Sequence, residues 1–246
     1  MLTEGKAISE RADVWLLSVP TTYAGAEWTT RYGIRSHDRK LQGHGTRARP
    51  GGIVYDVDLT LDLPRETTVG TAMNALAHCA EALYVNGHND DADEHALAGA
   101  RLIGEWLPRV VESPHDREAR GELLRGACHA GAALGASDLA LAHAMAQAIG
   151  GYYGLPHGTL NGLCLPVALD WNEQWAPAAV QRFREAAGRD PAELAALGGI
   201  TRLRELGVPE ADLPELAARA AARPGNQANP RPATAQEIEA LLRQIY

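Results

Sequence analysis

Apolar residues in the first sixty positions come in short runs, whereas later they recur at helical spacing. Residues 13–19, Asp-Val-Trp-Leu-Leu-Ser-Val, form a short apolar run closed by Pro20. Residues 53–57, Ile-Val-Tyr-Asp-Val, form another, closed by acidic and turn residues, and both runs predict buried strands. Between them the segment Arg31 to Gly52 is rich in Gly, Arg and His with weak alternation, which allows a hairpin or a mobile loop. From Pro64 onward the period changes: Thr67 or Thr68 is expected to cap a helix whose apolar positions Ala72, Leu76, Cys79, Ala80 and Leu83 share one broad face. Further helices are expected over about 91–112, 116–136 and 138–150, the last ended by Gly150-Gly151. A series follows after residue 176, for roughly seven to nine helices in all. The Pro-rich stretch from Arg223 to Pro232 reads as a surface arm, after which Thr234 caps a last short helix ending near Tyr246.

Composition supports a mostly helical body. Alanine and leucine dominate, phenylalanine occurs once, and 246 residues at 46% hydrophobic content can bury a substantial core without disulfides. The net charge of -8 is spread along the chain and leaves no basic stripe for nucleic acid. Cys79, Cys128 and Cys164 are odd in number and set in apolar surroundings, as reduced core thiols in a cytoplasmic protein would be. No apolar window is long enough to span a membrane, and the opening residues lack the apolar stretch of a signal peptide.

Among nine histidines, three sit where a site could assemble. Asn74 and His78 are one turn apart on a predicted helix face, His143 lies in the helix after Leu139, and His157 follows a Gly-rich turn. Three neutral imidazoles and one amide oxygen with an open position describe a catalytic zinc or iron(II) centre. The alternative is that each is an ordinary satisfied residue. His78 has the better case, since an unpartnered ring among Ala77, Cys79 and Ala80 is costly. His37, His44, His88, His95 and His115 sit in polar surroundings and read as solvated, while His129 fits either setting.

The segment Val19-Pro-Thr-Thr-Tyr-Ala-Gly-Ala-Glu-Trp-Thr resembles the Pro-Thr-Thr-x-x-Gly-Ser-Glu stretch of iron-type alcohol dehydrogenases, and its Tyr-Ala-Gly form is similar to the maleylacetate reductase branch. The likeness continues through Ile53-Val-Tyr-Asp-Val-Asp-Leu and Met73-Asn-Ala-Leu-Ala-His-Cys-Ala-Glu-Ala-Leu-Tyr84, with Asn where the wider family has Asp. It extends through His143 and Gly-Gly-x-x-x-Leu-Pro-His157-Gly to Asn229-Pro-Arg-Pro-Ala-Thr. The resemblance implies a mainly α, dehydroquinate synthase-like helical domain over 64–246, preceded over 1–63 by a small α/β remnant of a nucleotide-binding domain. It further implies that Asn74, His78, His143 and His157 occupy the metal-ligand positions.

Three departures bear on function. The Gly-Gly-Gly-Ser turn that cradles the cofactor's pyrophosphate in the family lies ahead of the stretch matched by Glu4-Gly-Lys-Ala-Ile8, so NAD(P) binding by this chain is not expected. A family histidine beside the nicotinamide is Gln147 here, and the Ser of Gly-Ser-Glu is Ala26. Together they favour a repurposed enzyme performing elimination, hydration, isomerisation or cyclisation on a small carbonyl or carboxylate substrate. In it His78, His143 and His157 hold a divalent metal or act as acid and base, Tyr23, Glu27 and Gln147 line the pocket, and Arg31 or Lys40 meets a substrate anion. Two other readings stand beside it: a maleylacetate reductase-like oxidoreductase whose nucleotide half comes from a separate chain, and a noncatalytic partner protein. In each, a second copy or a partner chain is expected to cover the surface next to the missing half.

Overall fold

The computed structural model describes residues 2–36 and 39–246. Among the described residues four short strands and eleven α-helices follow one another, with the strands confined to the first fifty-three positions. Helix α1 (Leu2–Ala12) leads to β1 (Leu17–Ser18), the hairpin β2 (Arg31–Ser36) and β3 (Arg39–His44), and β4 (Gly52–Ile53). The helical body then runs α2 (Arg65–Tyr84), α3 (Asp90–Glu112), α4 (Arg117–Ala136), α5 (Leu141–Tyr153), α6 (His157–Asn172), α7 (Pro177–Ala187) and α8 (Pro191–Ala196). It ends with α9 (Leu213–Ala221), α10 (Pro224–Gln227) and α11 (Ala235–Gln244).

Helix α2 is the axis of this body because it has no polar side to turn outward. Nearly every residue from Thr68 to Tyr84 is buried, and a helix apolar all round must be enclosed by others. Helices α3, α4, α6 and α7 enclose it. Its many alanines keep the neighbours close, and glycines on those neighbours complete the fit. A Cβ at Gly99 would stand 2.7 Å from the Cys79 sulfur, and one at Gly104 would stand 1.9 Å from the Ala187 carbonyl oxygen.

Two buried cations hold the N-terminal segment: Lys6 ties α1 to the rest of that segment, and Arg120 ties the segment to the body. Lys6 donates from Nζ to the carbonyls of Ala26 and Thr29, each at 2.6 Å, and to Thr29 Oγ1 at 2.9 Å. Burial holds the Lys6 ammonium down to about 8, against an upward pull from Glu27. Arg120 on α4 donates from Nε to Pro114 O at 2.8 Å, and from Nη1 to Tyr23 Oη and Thr68 Oγ1, both at 3.1 Å. Its Nη2 reaches the carbonyls of Leu61 and Leu63, so one guanidinium staples the start of α2 to the segment before it.

Several expectations are corrected by these coordinates. The two apolar runs do pair, in parallel, Leu17 with Gly52 and Ser18 with Ile53, but the strands are two residues long and only Ser18 in them is buried. Trp15 is 80% and Leu17 63% exposed, and Val14, Val19 and Val54 are also open; the Arg47 guanidinium lies over the Trp15 ring, 5.1 Å from its centroid, without enclosing it. The polar segment is a hairpin, Arg31 opposite His44, whose tip at 37–38 lies outside the described residues. Pro64, not Thr67 or Thr68, occupies the N-cap of α2, its fixed φ of -56° preparing the first turn, while Thr68 Oγ1 donates to Leu63 O. Helix α5 continues past Gly150-Gly151 to Tyr153 and stops where Gly154 turns left-handed at φ 74°.

Residues 223–232 are not a surface arm. Asn226 and Asn229 are buried there, Asn226 Nδ2 donating to Ala233 O at 2.9 Å and Asn229 Nδ2 to Asn172 Oδ1 at 2.7 Å, which pulls the segment onto α6 and α9. Thr234 does cap the last helix, in a reciprocal box with Glu237. Cys79 and Cys164 are core thiols and Cys128 is half-buried, all three free. No helix among the described residues is long and apolar enough to cross a membrane.

Replacing Gly104 with Ala should destabilise the protein although alanine favours helix, because the new methyl meets backbone rather than a side chain that can swing away. The urea midpoint is expected to fall by an amount worth about 1–3 kcal/mol, and an unchanged midpoint would show that α7 yields freely.

Candidate active site

The register of α2 sets the site. Asn74, His78 and Glu81 stand at i, i+4 and i+7, so all three project from one face of a rigid, enclosed helix. Helix α5 begins opposite them with Ala140 at its N-cap, which offers no side-chain oxygen to the first amides. Glu81 supplies the cap from outside: Oε1 accepts from the His143 backbone N–H at 3.1 Å, and Oε2 lies 2.7 Å from His143 Nδ1. The carboxylate is fully buried, sits where the positive end of the α5 dipole favours it, and fixes the imidazole with Nδ1–H toward itself and Nε2 free. Helix α6 opens with His157 after the turn at Gly154 and Pro156, and Asn161 follows one turn later.

Three imidazoles meet as a result. The rings of His78 and His143 stack with centroids 4.7 Å apart and planes 12° apart, and His157 is tilted 5.6 Å from His143. Asn161 Nδ2 donates to Asn74 Oδ1 at 2.7 Å and lies 3.1 Å from His157 Nε2. Asn74 Nδ2 in turn donates to Ala24 O at 3.0 Å, tying the site to the N-terminal segment. His78 Nδ1, His143 Nε2 and Asn161 Oδ1 are buried without a partner among the described residues, an unusual concentration of unmet polar atoms.

These rings line the wall of a cleft of about 850 Å³, large enough for more than one small reactant. Trp28, Thr29 and Arg31 border one side, Gly135 and Ser137 another, and Gln147, Arg223 and Gly225 a third. Burial pushes His78 well below the usual imidazole range, with His143 and His157 adding to the effect. The cleft walls push His157 down to about 3, helped by His143 and by the Arg223 guanidinium. Water reaches the His157 ring through the open cleft, so the stability tied to its shift is smaller than for an enclosed ring. Both rings are neutral at pH 7.

Asn74, His78, His143, His157 and Gln147 are thus brought together as the sequence suggests. Tyr23 and Glu27 are not part of the lining: Tyr23 is enclosed and held by Arg120, and Glu27 is buried against Tyr55, whose hydroxyl donates to it at 2.7 Å. Their motif runs along the cleft, but the turn at Gly25, φ 71°, sends these two side chains inward. Arg31 borders the cleft and is paired with Asp138 at 3.0 Å. The side chain of Lys40 lies outside the described residues. His44, His88 and His115 are exposed as expected. His95 and His129 are each half-buried, with Nδ1 atoms 2.9 Å apart between α3 and α4. Reading the sequence missed Glu81, Asn161 and Arg223. A carboxylate among Cys79, Ala80 and Ala82, seven residues after Asn74, was a visible sign for the first; the other two depend on how α6 and α10 pack.

A sequence model of the Fe-containing alcohol dehydrogenase family, C-terminal part, matches residues 68–246. The chain belongs to the Fe-containing alcohol dehydrogenase family. It is 38% identical over 248 residues to a maleylacetate reductase of Burkholderia cepacia, covering 98% of this chain and 70% of that protein. It is 39% identical to one from Sphingobium indicum, covering 96% and 68%. Among solved structures, the maleylacetate reductase of Agrobacterium tumefaciens superposes with a TM-score of 0.92 at 35% identity, over 100% of this chain and 71% of that one. The fold is therefore the iron alcohol dehydrogenase fold, and its relatives are enzymes.

The family name raises a metal, and the donor set is of a suitable kind: three neutral imidazoles and an amide oxygen. Its arrangement is not a coordination shell. Among the described residues no group of three or more His, Cys, Asp or Glu is placed to hold a metal ion. The Asn161 amide already engages Asn74 Oδ1 and His157 Nε2, the lone pairs an ion would need.

Because His78 and His157 bind protons more weakly when folded, the unfolded chain takes up more protons below the free imidazole value of 6.5, so their contribution is complete above that pH and is lost as pH falls toward 3. Urea midpoints should fall between pH 7 and 5, and the fall should be shallower in His78→Gln; equal slopes would show that His78 is not held neutral.

Proposed function

We propose that the cleft binds a small oxo acid of the maleylacetate type and that its imidazoles assist reduction of that acid. The observation that carries this reading is the meeting of three imidazoles in the 850 Å³ cleft, two of them held neutral and two with buried nitrogens awaiting a partner. The names of the relatives, maleylacetate reductases at 38% and 39% identity, supply the substrate class. A reduced nicotinamide, when bound, would supply the hydride to the acid. The chain's own residues do the rest. A neutral imidazole N–H donates to the ketone oxygen, where negative charge gathers as hydride reaches the conjugated double bond, and the proton that completes the product comes from solvent through the same cluster. His143, its tautomer fixed by Glu81, presents a Nε2 lone pair that can accept a proton in the reverse direction.

The nucleotide part of the cofactor is assigned to a unit packed on the apolar face of Trp15, Leu17, Val19 and Val54. The parallel pair β1–β4 supports this, since parallel sheets are ordinarily covered on both faces and extended by further strands. A zinc or iron ion in the His cluster would require Asn161 to withdraw. Elemental analysis should therefore find less bound metal in the purified protein than in Asn161→Ala after equal exposure to Zn²⁺. Equal loading would show that the amide does not compete.

A second reading has one specific observation behind it. Gln147 cannot carry a proton, and its side-chain and backbone oxygens both accept from Arg223, so this position serves binding rather than proton relay. Elimination or hydration of the same acid by the remaining imidazoles would need no hydride. The two are separated by following NADH and substrate together, with the protein alone and mixed with the nucleotide-binding portion of a maleylacetate reductase. Oxidation of NADH matched to loss of the oxo acid, and reduced about 10²–10⁴-fold in His143→Ala, is the expected result. Loss of the acid with NADH unchanged would replace it with the second reading.

A further inference from the structure

We propose that Arg223 anchors the anionic group of the molecule that enters the cleft, and that Gln147 positions it. The substrate class rests on the oxo-acid reading above; the assignment of these two residues rests on the geometry of the third wall. Arg223 stands at the N-cap of α10 and turns back across the cleft to α5. Its Nη1 donates to Gln147 Oε1 at 3.2 Å and its Nη2 to the Gln147 carbonyl oxygen at 2.8 Å. Two bonds to one residue fix the plane of the guanidinium. Gly151, one turn along α5, leaves room for it: a Cβ there would come within 3.2 Å of Nη2.

A guanidinium has five N–H donors, and this one uses two on Gln147. Its Nε is buried and has no partner among the described residues. A buried unpaired donor on a cation is costly, and a carboxylate oxygen is the acceptor that repays it best, through Nε–H together with a remaining Nη–H. The neighbouring charges favour the same occupant. In a chain of net charge -8 the cleft is bordered by Arg31, Arg49 and Arg223 and by one acid, Asp138, which is already paired with Arg31. Arg49 is spread over the Trp28 ring, 5.9 Å from its centroid. Arg223 is the cation next to the imidazoles, near enough to depress His157. A carboxylate on Arg223 leaves the carbonyl of the same small molecule facing the histidine cluster.

Gln147 suits its part because an amide oxygen accepts from the guanidinium without neutralising it. A carboxylate in its place would hold Arg223 as firmly and cancel the charge that the substrate needs.

The test uses glutarate, which cannot be reduced, and its uncharged dimethyl ester, with binding to the full chain read by calorimetry. The wild type should prefer glutarate, and Arg223→Gln should lower the ratio of the two affinities at least about tenfold. Gln147→Glu should do the same with the fold intact by circular dichroism, whereas Arg223→Lys should keep part of the preference. With the oxo acid, NADH and the nucleotide-binding portion of a maleylacetate reductase, Arg223→Gln and Gln147→Glu should raise KM more than they lower kcat. A ratio unmoved in folded Arg223→Gln, or a wild type with no preference for the anion, would overturn the proposal. Anion preference lost in Arg223→Gln, without any NADH oxidation by the wild type mixed with the nucleotide-binding portion of a maleylacetate reductase, would refute the reductase reading and leave the anchor in place.

Discussion

A single buried carboxylate decides how the two halves of the histidine cluster face each other. Glu81 has no lysine or arginine beside it; its partners are the backbone amide and the ring of His143. By taking the place of the missing N-cap at Ala140, it fixes where α5 starts, and by accepting from Nδ1 it fixes which nitrogen of His143 faces the cleft. The start of a helix and the tautomer of a ring are thus one event. Enclosure of α2 makes the constraint stiff, since a helix surrounded on every side cannot rotate to relieve a poor contact.

The helical body was legible because its signals are local. Asn89 caps α3 and Asp116 caps α4, within a residue or two of where the periodicity places their starts, and Thr234 with Glu237 marks α11. His78 does lie buried among the small apolar residues of α2, although its Nδ1 has no partner among the described residues. What failed to show was set by long-range packing. Gly150-Gly151 looks like a helix end but lies inside α5, where Leu160 and Arg223 approach so closely that a Cβ would stand 3.1 and 3.2 Å from their side chains. The stretch around Asn226 and Asn229 looks like a solvated arm until their amides are seen to replace backbone partners in the core. Tyr23 and Glu27 belong to a motif that runs beside the cleft, yet only Ala24 and Ala26 between them reach it.

Membership of the Fe-containing alcohol dehydrogenase family and the chemistry of the cleft carry different weight. The family follows from nearly the whole chain, while the reaction turns on a few atoms. In those atoms the usual logic of a metal centre is altered: an asparagine amide lies between the amide and imidazole lone pairs that would face an ion. A hydrogen-bonded amide is a weaker electrophile than a divalent cation but holds its neighbours in register without one. Neutral rings, a fixed tautomer and an adjacent guanidinium together form a site that can orient a charged molecule and handle a proton near neutrality.

Gly131 gives the cleft unequal walls. A Cβ at that position would stand 2.5 Å from the Trp28 ring and 2.7 Å from the Gly25 carbonyl oxygen, so the indole lies flat on α4 with no slack. The opposite side is a four-residue helix and the single arginine preceding it. A change of ligand is therefore most readily met by the Arg223 side chain alone, since Trp28 on one wall and Gly225 on another, where a Cβ would stand 2.8 Å from the Ala140 carbonyl oxygen, leave the backbone no room to shift.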